Sequence, residues 1–184
     1  MTIRFRATLE TIGFQTIVRM PKSASRKLPS RGLSFVEGTF NQRPFQTTLE
    51  PDGKGSHWFK VGRAISKAGH LVAGDTVVVE IAPSDRWPEP DLPADLKQAL
   101  AGNADVRAVW TDITPLARWD WIRWIGATRN PETRAIRIDK TLSKLRSGKR
   151  AACCFDRSQC TDVTVSRSGV LLGPGSKNRT PKSA

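Results

Sequence analysis

Residues 119–150 read WDWIRWIGATRNPETRAIRIDKTLSKLRSGKR. The run holds three of the chain's six tryptophans, and with Arg118 it carries ten basic residues against three acidic ones. Two helix starts frame it. Thr114 before Pro115 and Asn130 before Pro131 each pair a capping side chain with a proline whose fixed φ suits the first helical position. From Pro115, steps of about 100° gather Trp121, Ile122, Trp124 and Ile125 on one arc, the expected core. Trp119 falls on the other side with Arg123 one turn on, placed to stack over it. From Pro131, Ala135, Ile138, Leu142 and Leu145 make a narrow apolar stripe, and Arg137, Lys140 and Lys144 fall opposite. Gly148 is the expected stop.

Upstream, helical periodicity continues. Leu92, Leu96, Ala99 and Leu100 form one stripe that ends at Gly102. Val106, Val109, Trp110 and Ile113 form another, with Asn103 as a cap. Before these comes PSDRWPEP at 83–90, three prolines in eight residues, which reads as a linker. Residues 1–82 have a different period. Ile3, Phe5, Ala7 and Leu9 alternate with polar neighbours, as a half-buried strand does. Further strands are expected at Phe14–Met20, Leu33–Phe40, Phe45–Leu49, His57–Val61 and Thr76–Ile81. The Val77–Val79 run suggests burial on both faces, Pro21–Gly32 a loop, and Arg63–Ala68 one helical turn. Six short strands at this spacing imply a small, mostly antiparallel barrel. The expected fold is α+β. A small antiparallel, double-split-like β-barrel occupies 1–82, a linker 83–90 and a helical module 91–150. Residues 151–184 form a largely disordered tail, in which Val163, Val165 and Val170–Leu172 are either an extra strand or an apolar stretch.

The net charge is +13. It divides as +6 over 1–82, −3 over 83–117, +7 over 118–150 and +3 over 151–184. Such a field raises affinity for anionic partners without choosing among them. Arg134, Arg137, Lys140 and Lys144 read either as an anion-binding face or as the solvated side of an amphipathic helix. Trp119 is free to stack a base, to meet a partner or to pack against the β part. The two histidines, His57 and His70, have no nucleophile motif beside them, and no phosphate- or dinucleotide-binding loop is present. Cys153, Cys154 and Cys160 lack the four-ligand spacing of a zinc site and read as free thiols. No catalytic residue, cofactor or metal is therefore expected. No apolar run is long enough to cross a membrane. The start MTIRFRATLE has no secretory signal, which makes the cytoplasm the expected location.

Trp124–Ala135, then Arg137-Ile138, Lys140 and Gly148–Arg150, resembles the helical module of the YdeI/OmpD-associated family, with its WI-x-x-A-x-x-PETRA-x-RI-x-K stretch. Pro93–Leu96, Ala99-Leu100 and Ala108 resemble the start of that module. Residues 1–82 are similar to the small β domain of unknown function that often precedes it, through Gly55, His57–Val61 and Gly74–Val77. At the level of fold they are also similar to AbrB-type double-split barrels. The chain departs from the family's usual charged run at Leu116–Trp121. The resemblance implies a non-enzymatic binding protein linked to bacteriocin or antimicrobial-peptide resistance, or to envelope stress. Its expected partner is a protein or another anionic species, met by Trp119, Arg123, Arg134, Arg137, Lys140 and Lys144. The alternative is nucleic-acid binding by the barrel through Arg4, Arg6, Lys60, Arg63 and Lys67 together with the basic helix.

Overall fold

Alternation in the first ten strand residues decides the N-terminal architecture. In the computed structural model, strand β1 (Ile3–Ile12) turns Ile3, Phe5 and Leu9 into a common core. Five more strands complete the sheet: β2 (Gln15–Arg19), β3 (Ser34–Phe40), β4 (Arg43–Pro51), β5 (His57–Lys60) and β6 (Thr76–Pro83). They close a barrel in the order β1-β2-β5-β4-β3-β6, and every neighbouring pair is antiparallel. Closure gives every strand a neighbour on each side over at least part of its length. The structure describes residues 1–13, 15–128, 130–152, 162, 164–166 and 168–174. The three cysteines, Phe14 and Val163 lie outside them.

The core joins Val18, Val36, Phe40, Leu49, Phe59, Val77, Val79 and Ile81 from the other five strands to Ile3, Phe5 and Leu9 of β1. Burying one such side chain stabilises by about 1.5–3 kcal/mol. Phe40, Phe45 and Phe59 meet at centroid distances of 5.7, 6.4 and 5.8 Å. At Gly38 β6 passes close to β3: a Cβ there would stand 1.9 Å from the Glu80 carbonyl oxygen. Asn41 and Gln42 turn β3 into β4 with φ of 47° and 66°, the left-handed pair a two-residue hairpin needs. Asn41 Oδ1 also accepts from the Val78 amide at 2.8 Å.

Two expectations for this part are corrected. Val78 is only half-buried between the inward Val77 and Val79, so β6 alternates instead of being buried on both faces. The stretch read as a loop contains a four-residue helix, α1 (Lys22–Ser25), whose Ala24, with Leu28 after it, joins the barrel core. The short helical turn is present as α2 (Arg63–Ala68).

Among the described residues, those of Met1–Arg86 and Gly169–Ala184 form one compact unit and those of Trp87–Ser168 a second. In the first, Leu171 is buried and its amide donates to the Asp52 carbonyl at 3.0 Å. Arg19 reaches the Leu172 carbonyl, and Gly53 faces Gly169 so closely that a Cβ would sit 2.5 Å from its carbonyl oxygen. The piece at Val170–Leu172, left open between an extra strand and an apolar stretch, thus packs within the barrel unit.

The second unit holds α3 (Ala94–Ala101), α4 (Ala104–Asp112), α5 (Pro115–Gly126) and α6 (Pro131–Arg146). Leu96, Leu100, Val106, Trp110, Ile113, Trp121, Ile125, Ile138 and Leu145 make its core. Thr114 caps α5 by accepting from the Ala117 amide at 3.3 Å. Asn130 caps α6 by accepting from Glu132 and Thr133 at 2.8 and 3.1 Å. Among the described residues no helix is long and apolar enough to cross a membrane.

Candidate partner-binding face

The basic residues of α6 divide by helical phase. Arg134, Ile138, Thr141 and Leu145 follow the i, i+4, i+7, i+11 spacing of one face. Ile138, Thr141 and Leu145 are buried there. Thr141 satisfies its hydroxyl by donating to the Arg137 carbonyl at 2.8 Å. Ala135, expected in the apolar stripe, is exposed, because the buried arc is turned toward Arg134 and Thr141. These two polar side chains lie on it by virtue of their partners.

Several arginines make ion pairs within the unit. Arg134 grips Asp95 with two bonds, Nε to Oδ2 at 2.5 Å and Nη2 to Oδ1 at 3.0 Å, which joins α6 to α3. That grip holds the Asp95 carboxyl below its ordinary value and raises the Arg134 guanidinium. Arg146 donates to Asp105 and to Asn103 Oδ1, each at 2.8 Å, which lowers the Asp105 carboxyl and ties α6 to α4. Arg150 pairs with Asp112 and Arg118 with Glu89 at 2.7 Å.

Arg137 and Lys144 lie differently. They stand two turns apart on α6, and both lie over the indole of Trp124 on α5. Arg137 Cζ is 5.3 Å and Lys144 Nζ 5.7 Å from the ring centroid. Arg137 also donates to the Trp124 carbonyl. The ring is held edge-to-face on the buried Trp121 at 6.1 Å. Its π-face attracts each cation by roughly 0.5–1 kcal/mol at an exposed site. Between the two in sequence is Lys140, which is exposed and has no ion-pair partner among the described residues. Arg137, Lys140 and Lys144 therefore form a positive strip beside one half-buried ring. Like charges at these spacings cost a few tenths of a kcal/mol per pair, a cost that an anion laid along the strip would relieve.

The other expected residues sit apart from this strip in their contacts. Trp119 is half-buried, and its indole N–H donates to the Pro88 carbonyl at 2.9 Å. Arg123 pairs with Asp120 one turn back, at 3.4 Å. Trp124, which the periodicity assigned to the core alone, is the residue that the sequence reading missed. Its signal is the i, i+7 pair of cations on the following helix. In the barrel, Arg4 pairs with Glu80 at 3.1 Å and Lys60 lies 5.9 Å from the centroid of Trp58.

A second polar constellation lies in the barrel unit. The Ser25 hydroxyl and His57 Nδ1 are 2.9 Å apart, and both residues are 0% exposed. His57 Nε2 faces the Gly32 carbonyl at 3.0 Å. This encloses the hydroxyl–imidazole pair away from any substrate in the present conformation. Among the described residues no cluster of three or more His, Cys, Asp or Glu side chains could hold a metal ion.

Comparison with known proteins follows the two units. Residues 5–81 match the family described as Domain of unknown function (DUF1905). Residues 89–148 match the family described as Bacteriocin-protection, YdeI or OmpD-Associated (OmdA). No curated protein matches the chain. With its barrel in the first segment and its four helices in the second, the chain carries a match to a DUF1905 domain followed by a match to a YdeI/OmpD-associated (OmdA) module.

Proposed function

We propose that this protein acts by binding, without catalysis, in the cytoplasm, and that its partner is an acidic segment of another protein laid along α6. The single observation behind the reading is the strip of Arg137, Lys140 and Lys144 beside Trp124. Lys140 stands exposed in the strip with no ion-pair partner among the described residues, so an outside carboxylate gains there. An aromatic floor under two cations adds an apolar surface to which a partner's side chains can pack. The family's description supplies the biological setting, protection against bacteriocins, and protection through a protein complex fits a surface of this kind. The enclosure of Ser25 and His57 supports the non-enzymatic part of the reading.

The test is a pull-down from lysate with the full chain as bait, run with and without nuclease. An acidic protein retained after nuclease treatment supports the reading. Capture that disappears with nuclease replaces it with nucleic-acid binding, in which case affinity falls steeply with salt. Alongside, cells lacking the protein should become more sensitive to bacteriocin, and the wild-type chain should restore resistance. Unchanged sensitivity removes the protective role.

A further inference from the structure

The strap Pro21–Gly32 is held at both ends by one imidazole. Ser25, near its start, lies against His57 Nδ1 at 2.9 Å. Gly32, at its end, offers its carbonyl to Nε2 at 3.0 Å. A carbonyl only accepts, so Nε2 carries the proton. Nδ1 must then accept, and the Ser25 hydroxyl donates to it. Arg31, also on the strap, donates to the Ser25 carbonyl and hydroxyl at 3.1 and 3.2 Å and to the Gly55 carbonyl at 2.6 Å. The strap inserts Ala24 and Leu28 into the barrel core.

We propose that this strap is an acid-released cover: protonation of His57 breaks its hold on Ser25 and uncovers the apolar barrel surface under Ala24 and Leu28. A second proton on the ring points an N–H at Ser25 Oγ, which already receives one from Arg31. The charged groups that face the imidazole are Arg31 on the strap and Asp52 on the turn after β4. Arg31 opposes the new charge. Asp52 favours it, but its Oδ1 is already engaged by the Lys54 and Ser56 amides, each at 2.8 Å. Burial, the largest cause, and Arg31 together hold the ring below its ordinary value of 6.5, against the pull of the Gly32 carbonyl and Asp52. Opening the strap returns the ring to water, where it takes up the proton readily. The closed state is therefore favoured above the ordinary imidazole value and loses ground as pH falls below it. This inference is independent of the α6 surface.

Hydrogen exchange of the full chain, corrected for the intrinsic pH dependence of exchange, reads the device directly. The amides of Ala24 to Leu28 should exchange faster, by up to about tenfold, at one pH unit below the ordinary imidazole value than at neutral pH, with β1, β3 and β6 unchanged. His57→Gln, which keeps a donor toward Gly32 and does not titrate, should abolish that pH response. Equal protection of the strap at both pH values, or a response that survives in His57→Gln, overturns the proposal. Should the variant not fold, the two histidine ring signals of the wild-type chain decide. His57 titrating together with strap exchange supports the device. Strap opening with His57 still neutral, or His57 titrating under a closed strap, overturns it.

Discussion

Arg137 Cζ lies 5.3 Å from the ring centroid of Trp124, and Lys144 shares the same ring at 5.7 Å. Helix α5 thereby fixes where the charge of α6 sits. Trp124→Leu keeps an apolar side chain on Trp121 and removes the π-face. It should lower the stability of the helical unit by about 1–2 kcal/mol, the worth of two such contacts. Trp124→Phe should cost less. Urea unfolding of both variants measures this; equal stability of Trp124→Leu and wild type would show that the ring does not hold the cations.

The Arg134–Asp95 grip predicts a pH dependence with a definite sign. The Asp95 carboxyl is held below its ordinary value of 3.8 by Arg134, so its contribution is present above that value and is lost as pH falls below it. Both side chains are partly solvated, which keeps the gain under about 1 kcal/mol. Wild type should exceed Asp95→Asn by that margin at neutral pH, and the two should converge in acid. Denaturation curves at both pH values provide the comparison, and a gap that widens on acidification would contradict the assignment.

Gly38 tests the barrel. A Cβ at this position would stand 1.9 Å from the Glu80 carbonyl oxygen, a backbone atom held in the β3–β6 ladder. Gly38→Ala should therefore cost about 3 kcal/mol or more, at or beyond the upper end of ordinary overpacking. A melting temperature within a few degrees of wild type would mean that the strands separate there without penalty.

Asn130 receives two amides at the start of α6. Asn130→Ala should lose about 1 kcal/mol, whereas Asn130→Asp, which still accepts, should stay near wild type. Helix content and chemical denaturation distinguish the pair; equal losses would show that the cap contributes nothing.

Much of this architecture was legible in the residues themselves. Ile3, Phe5 and Leu9 alternate because one side of β1 is buried. Thr114-Pro115 and Asn130-Pro131 announce helices because capping chemistry is local. Helix α1 was not legible: four residues in a polar stretch have no apolar period, and its hold comes from His57, far away in sequence. On α6 the stripe Ile138, Leu142 and Leu145 packs as expected, and Ala135 alone was misplaced, because only apolar residues were counted. Arg134 and Thr141 occupy the buried arc, where Asp95 and the Arg137 carbonyl satisfy them. Trp124 looked like core for the same reason, since phase places it beside Trp121 but says nothing of cations on the next helix. The seat of Leu171 on the barrel unit depends on the Asp52 carbonyl, which no local pattern could reveal.

Charge reversal along the strip tests the central claim most directly. Arg137→Glu, Lys140→Glu and Lys144→Glu, combined in one chain, should abolish capture of the partner that wild type retains after nuclease treatment. The two lost ring contacts, worth about 1–2 kcal/mol together, should be the main cost to stability, so the variant remains folded with a modest drop in melting temperature. A folded triple variant that captures the same partner as fully as wild type would contradict the account.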